Sequence, residues 1–158
     1  MPITVFSEQV GDLVQWVNTQ TGAVATGTTI MPADDTIPQI TEGDEYMTLA
    51  ITPTSAANTL LIDVTIFAAT SVAYQINAAL FQDATAGALA AGTVYEGVGN
   101  MNAVRFIHKM TAGTTAATTF RVRIGPSGAA TVTFNGSAAG RIFGGVFASS
   151  ITIMEVRP

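Results

Sequence analysis

YMTLAITPTSAANTLLIDVTIFAATSVAYQINAALFQ, residues 46–82, decides the fold. Two turn clusters, PTSAAN and ATSVA, cut it into three alternating stretches. Met47, Leu49 and Ile51 take every second place in the first, Leu60, Ile62, Val64 and Ile66 in the second, and Tyr74, Ile76, Ala78 and Leu80 in the third. Successive side chains of a strand point to opposite faces, so a period of two predicts strands with one face on a core. The Pro, Ser, Thr and Asn of the breaks are residues that turns use.

Outward from this centre the same pattern thins but persists. LVQWVN, residues 13–18, has strand composition, with Val14 and Trp16 on one side and Leu13 and Val17 on the other. Residues 19–45 are rich in Thr, Gly and Pro and predict an extended crossing of the surface, with Pro32 and Pro38 keeping their predecessors out of helical geometry. DATAGALAAGT, residues 83–93, reads as small-residue turn and loop. Alternation resumes over 102–110, where Val104, Phe106, His108 and Met110 oppose Ala103, Arg105, Ile107 and Lys109. It continues over 118–124, with Phe120, Val122 and Ile124 inward, and over 130–134. Asn135-Gly136 signals a turn. RIFGGVFASSITIMEVRP holds one or two more strands. Eight or nine short strands with no convincing helix predict an all-β, two-sheet antiparallel sandwich of the jelly-roll or related kind.

Composition narrows the function classes. The chain has 158 residues, the length of one domain, and no Cys, so neither disulfides nor thiolate metal sites arise. MPITVFSEQVGDL has no basic n-region and no long apolar core, so it does not read as a signal peptide. A net charge of −5 argues against a nucleic-acid partner, and no apolar run reaches the roughly 18 residues of a membrane helix. Only 11% of residues are charged, against about 25% in an average protein, while mean hydropathy is positive. Such a chain covers its surface poorly as a monomer, which predicts self-association. The charges are also segregated. All ten acidic residues up to Glu96 precede the six basic ones, Arg105 to Arg157, which share their half with Glu155 alone. C-terminal strands are therefore expected beside N-terminal ones, within a subunit or across an interface.

No constellation predicts catalysis. His108 is the one histidine, no serine lies in a nucleophile elbow, and no glycines form a phosphate cradle, so neither an enzyme nor a cofactor is expected. Asp34, Asp35, Glu42, Asp44 and Glu45 form an acidic stretch whose spacing matches no calcium loop. Asn135-Gly136-Ser137 reads as a turn, not a glycosylation site. The apolar residues on the faces expected to be wet say more. Leu61, Phe67, Phe81 and Ile107 lie there, either under the long loop or in a contact between subunits. The expected interface set is Leu61, Phe67, Phe81, Ile107 and His108.

VNTQTGAVATGTT, PADDTIPQITEGDEYMTLAITPTSAANTLLI, AALFQD, MTAGTTAATTFRVRIG, TFNG and FGGVFASSITIMEV together resemble a domain at the distal ends of tailed-bacteriophage tail fibres and related virion surface proteins. The resemblance spans Leu13 to the C-terminus. It implies a trimeric jelly-roll or tumour-necrosis-factor-like knob on a virus particle, and it carries over no functional residue. Tail-fibre knobs follow long shafts, whereas here about a dozen residues precede the domain. Residues 1–12 are accordingly expected to be an anchor segment and 13–158 the domain. The expected role is that of a virion structural protein assembled in the host cytoplasm and shown on the virion surface. It would be a capsid decoration (cement) protein or a tail-fibre or tail-tip adhesin. The expected partners are its own copies, other capsid or tail proteins and, for an adhesin, a host-surface glycan or protein. A stand-alone lectin-like module using exposed aromatics such as Tyr95 is the alternative.

Overall fold

A computed structural model describes residues 12–95 and 97–158; the expected anchor, Asp12 apart, lies outside them. The first sheet orders β1 (Leu13–Thr21), β12 (Ser149–Val156), β4 (Thr59–Thr70) and β7 (Asn102–Thr111), all antiparallel. Short strands β9 (Val132–Phe134) and β2 (Ala25–Gly27) extend it beyond the end of β4. The second sheet orders β3 (Asp44–Ile51), β8 (Thr118–Pro126), β5 (Gln75–Gln82) and β6 (Ala90–Tyr95). A hairpin of β10 (Gly136–Ser137) and β11 (Gly140–Arg141) and a 3-10 turn at Phe143–Gly145 precede β12. The chain passes repeatedly from one sheet to the other, giving a tumour-necrosis-factor-like jelly roll whose two sheets have four main strands each among the described residues.

Alternation explains the core. Leu60, Ile62, Val64 and Ile66 of β4 are fully buried between the sheets, against Phe120, Val122, Ile124, Leu80, Ile151 and Ile153. Each such side chain contributes about 1.5–3 kcal/mol on burial. The charge segregation resolves within the subunit. Arg105 pairs with Asp63 at 2.6 Å, Arg121 and Arg123 with Glu45 at 3.2 and 3.8 Å, and Arg157 with Asp12 at 3.4 Å.

Two expectations are corrected. Residues 90–95 are a strand, although Ala and Gly favour strands weakly. Pairing with β5 holds β6 in place, and Gly92 makes room for its neighbour: a Cβ there would meet the Phe106 ring at 2.9 Å. Phe81 is fully buried within the subunit and is no interface residue. The strap of residues 28–43 crosses the outside of β5, and Met31, Ile40, Ala79 and Ala88 pack with Phe81 beneath it. Gly125 permits this close approach, since a Cβ there would lie 2.5 Å from the Thr29 carbonyl oxygen.

Candidate interaction face

The outer face of the first sheet is built by register. Trp16 lies opposite Met154, Met154 opposite Leu61, and Leu61 opposite Lys109, so one row crosses four strands. Neighbouring strands lie about 4.8 Å apart, which places the three apolar side chains side by side over roughly 10 Å. Trp16 is 59% exposed, and Leu61 and Met154 are half-buried. The next row runs Asn18, Thr152, Asp63 and Ile107, with Ile107 62% exposed. It is tied internally, for Asn18 Nδ2 donates to Thr152 Oγ1 at 2.9 Å and Arg105 holds Asp63. The hydrogen bonds to Asp63, and its charge, raise the Arg105 pKa above its ordinary value. Farther along β4, Phe67 stacks on Phe147 with ring centres 4.3 Å apart, and Phe143 meets Phe147 edge-on at 6.1 Å.

Of the expected interface residues, the structure brings Leu61, Ile107 and Phe67 to this face. His108 points the other way, between the sheets beside Phe106 and Met110 at the free edge of β7, where burial lowers its pKa. Trp16 and Met154 complete the row and are missing from the expected set. Alternation separates Trp16 from Leu13 and Val17 without saying which side faces out, and its place beside Leu61 depends on pairing between strands far apart in sequence.

The acidic stretch is taken apart by its own chain. Asp34 accepts from the Thr36 hydroxyl and amide, which lower its pKa. Glu42 accepts from Gln39 N, Asp44 from Thr29 N and Oγ1, and Glu45 from Arg121. Among the described residues no three His, Asp or Glu side chains come together as a metal site. Tyr46 stacks on Phe134 inside the sandwich, and burial, with Asp44 nearby, pushes its hydroxyl up to about 12.

A family model described as "Pgp3 C-terminal domain" matches residues 26–158. It is not the tail-fibre family that the quoted runs resemble. No curated protein matches the sequence. Among solved structures, the chain is similar to Eiger TNF from S. frugiperda, with 9% identity, TM-score 0.48, and coverage of 89% of this chain and 92% of that one. It is also similar to the VP2 subviral particle protein of infectious bursal disease virus, at 12% identity, TM-score 0.39 and coverage of 100% and 43%. For the enzymatically active domain of bacteriophage CBA120 tailspike protein 4 the identity is 15%, the TM-score 0.31 and the coverage 82% and 20%. The chain thus spans less than half the length of the last two.

Proposed function

The chain belongs to the Pgp3 C-terminal domain family, and on that premise we propose a non-enzymatic structural domain that self-associates as a homotrimer and is displayed on a virion surface. Membership in the family supports the self-association. The observation that carries it is the row Trp16, Met154 and Leu61 with Ile107 beside it, an apolar strip left open on the outside of a sheet. Open apolar strips on a charge-poor chain are covered by another polypeptide. Three copies can turn the same strip towards a common three-fold axis, so one surface serves every subunit. The place on a particle rests on the resemblance of the quoted runs to virion surface proteins, with docking to capsid or tail proteins as the corresponding partner.

Mass measurement in solution at micromolar concentration tests the first part, with the trimer expected and a monomer overturning it. Antibody labelling of purified particles tests the second. Label on the capsid supports decoration, label on the tail supports the adhesin, and unlabelled particles reject the virion role.

A further inference from the structure

The six basic residues of the chain all lie among the described ones, and five are closed to a protease that cuts after Arg or Lys. Arg105 and Lys109 belong to β7, which is paired with β4 along its whole length. Arg121 and Arg123 belong to β8, flanked by β3 on one side and β5 on the other. Arg157 donates its amide to Asp12 O at 3.0 Å and precedes Pro158, whose tertiary amide trypsin-type enzymes do not open. A protease draws an extended segment into its cleft, and a strand held in a sheet yields one only when the sheet opens.

Arg141 is placed differently. Its strand β11 pairs with β10 through two residues each, a ladder too short to be stable alone. Residues 138–141 and 143–144 are exposed, Phe143 to 73% and Val146 to 85%. Ile142 is extended, with φ −114° and ψ 149°, the conformation in which proteases take their substrates. Directly after it Phe143, Gly144 and Gly145 all have positive φ, of 50°, 64° and 95°. That turn throws the segment clear of the sheet, and at Phe143 it holds a side chain in a costly conformation. None of the ion pairs among the described residues uses the Arg141 guanidinium. Exposed loop tips of this kind are where nicking concentrates.

The piece beyond the bond is held in place. It carries β12, which lies between β1 and β4 and pairs with both. Ile151 and Ile153 are fully buried in the core. Ser149 donates its amide and hydroxyl to Asn135 Oδ1 at 3.1 and 2.7 Å, so residues on the two sides of Arg141 stay tied together.

We propose that the Arg141–Ile142 bond is a processing site for a trypsin-type serine protease, and that its cleavage leaves the sandwich closed while freeing residues 142–146. The protease's serine attacks the Arg141 carbonyl carbon, and the bond to Ile142 N breaks as that nitrogen takes a proton. Water then releases the acyl group, leaving a carboxylate on Arg141 and an ammonium on Ile142. Phe143 is thereby released from one of its two tethers and can leave the left-handed region. The proposal is independent of the self-association reading, for it concerns the loop before β12 and not the Trp16–Leu61 row.

The test is brief digestion of the full native chain with trypsin, read by mass spectrometry, native size exclusion and amide exchange. A single early cut is expected, giving 1–141 and 142–158, which co-elute in buffer and separate in urea. Arg141→Gln, a change at an exposed position, should slow the first cut at least ~10-fold, because every other site waits on the opening of a sheet. Exchange in the nicked protein should rise at residues 142–146 and stay slow in β12. A first cut at Arg105, Lys109, Arg121 or Arg123 overturns the proposal, as does a native chain that trypsin leaves whole. Fragments that part in buffer, or exchange at 142–146 unchanged by the cut, overturn it equally.

Discussion

Asn58 donates its side-chain amide to a carboxylate oxygen of Glu155 at 2.6 Å, joining the turn before β4 to a strand 97 positions away in sequence. The same carboxylate accepts from Thr54 N at 2.8 Å, Thr54 Oγ1 at 2.9 Å and the Gln15 side chain. Glu155 is fully buried, and burial alone would raise its pKa. The hydrogen bonds from Gln15, Asn58 and Thr54 outweigh it and bring the group down to about 2. Glu155 is thus a latch that closes one end of the sandwich.

Its acid response follows from the sign of that shift. A carboxylate held lower in the folded state than in the unfolded one stabilises fully above the unfolded value, here 4.5. That contribution fades as pH falls from there towards about 2. Thermal unfolding followed across this window should show Tm dropping faster in the wild type than in Glu155→Gln. Parallel curves would remove Glu155 from the acid response.

Replacing the latch by Glu155→Leu should cost about 1–3 kcal/mol, because the buried Asn58 side-chain amide then loses its nearer acceptor and keeps only Thr54 Oγ1 at 3.2 Å. Glu155→Gln retains an acceptor oxygen and should lose less. Urea unfolding decides: equal losses in the two variants would mean that packing, not hydrogen bonding, sets the cost.

Lysine substitutions separate the two apolar sets outside the core. Trp16→Lys and Leu61→Lys should leave Tm within a few degrees and reduce the assembly to monomer, since both side chains lie on an open face. Phe81→Lys should instead unfold the chain, because it forces a charge beneath the strap. Sedimentation and calorimetry of the three variants read the difference. A Leu61→Lys protein of unchanged mass would move self-association to another surface.

The strands of residues 46–82 were legible because burial of one face writes a period of two directly into β4, where Leu60 to Ile66 alternate with half-exposed neighbours. β6 was not, since Ala90 to Gly92 gain their strand conformation from β5 and from the Phe106 ring lying against Gly92. Phe81 shows the limit of parity. Alternation correctly put it outside the sheet, but the strap that buries it belongs to a distant, irregular stretch. The interaction row had the same difficulty. Trp16, Met154 and Leu61 each alternate outward, yet only the pairing of β1, β12 and β4 aligns them. Glu155 shares its parity with the buried Ile151 and Ile153, a signal that could have marked it as an inward carboxylate needing partners.

The hairpin turn Ala138–Ala139 carries two alanines at positive φ, where Asn-Gly is the usual choice. Ala138→Asn combined with Ala139→Gly should therefore stabilise the fold by about 1–2 kcal/mol, as judged by the urea midpoint. No gain would mean that packing around the two methyl groups already offsets the strain.

Gly125 controls whether the strap can lie down at all. A Cβ there would stand 2.5 Å from Thr29 O and 2.8 Å from Met31 N, both backbone atoms that cannot rotate aside. The strap is held at this point by Met31 N to Pro126 O at 3.0 Å and by Asn77 Nδ2 to Met31 O at 2.7 Å. Gly125→Ala must therefore push residues 29–31 outward and weaken both bonds, at a cost of about 1–3 kcal/mol. Because Phe81 and Ala79 depend on that cover, the loss should be local first: faster amide exchange at Met31 and Gly43, with β4 still protected. Met31→Ala provides the control, since it removes side-chain cover without displacing backbone and should leave the Met31 amide protected. If Gly125→Ala leaves exchange across the strap unchanged, the glycine is not what lets the strap close over Phe81.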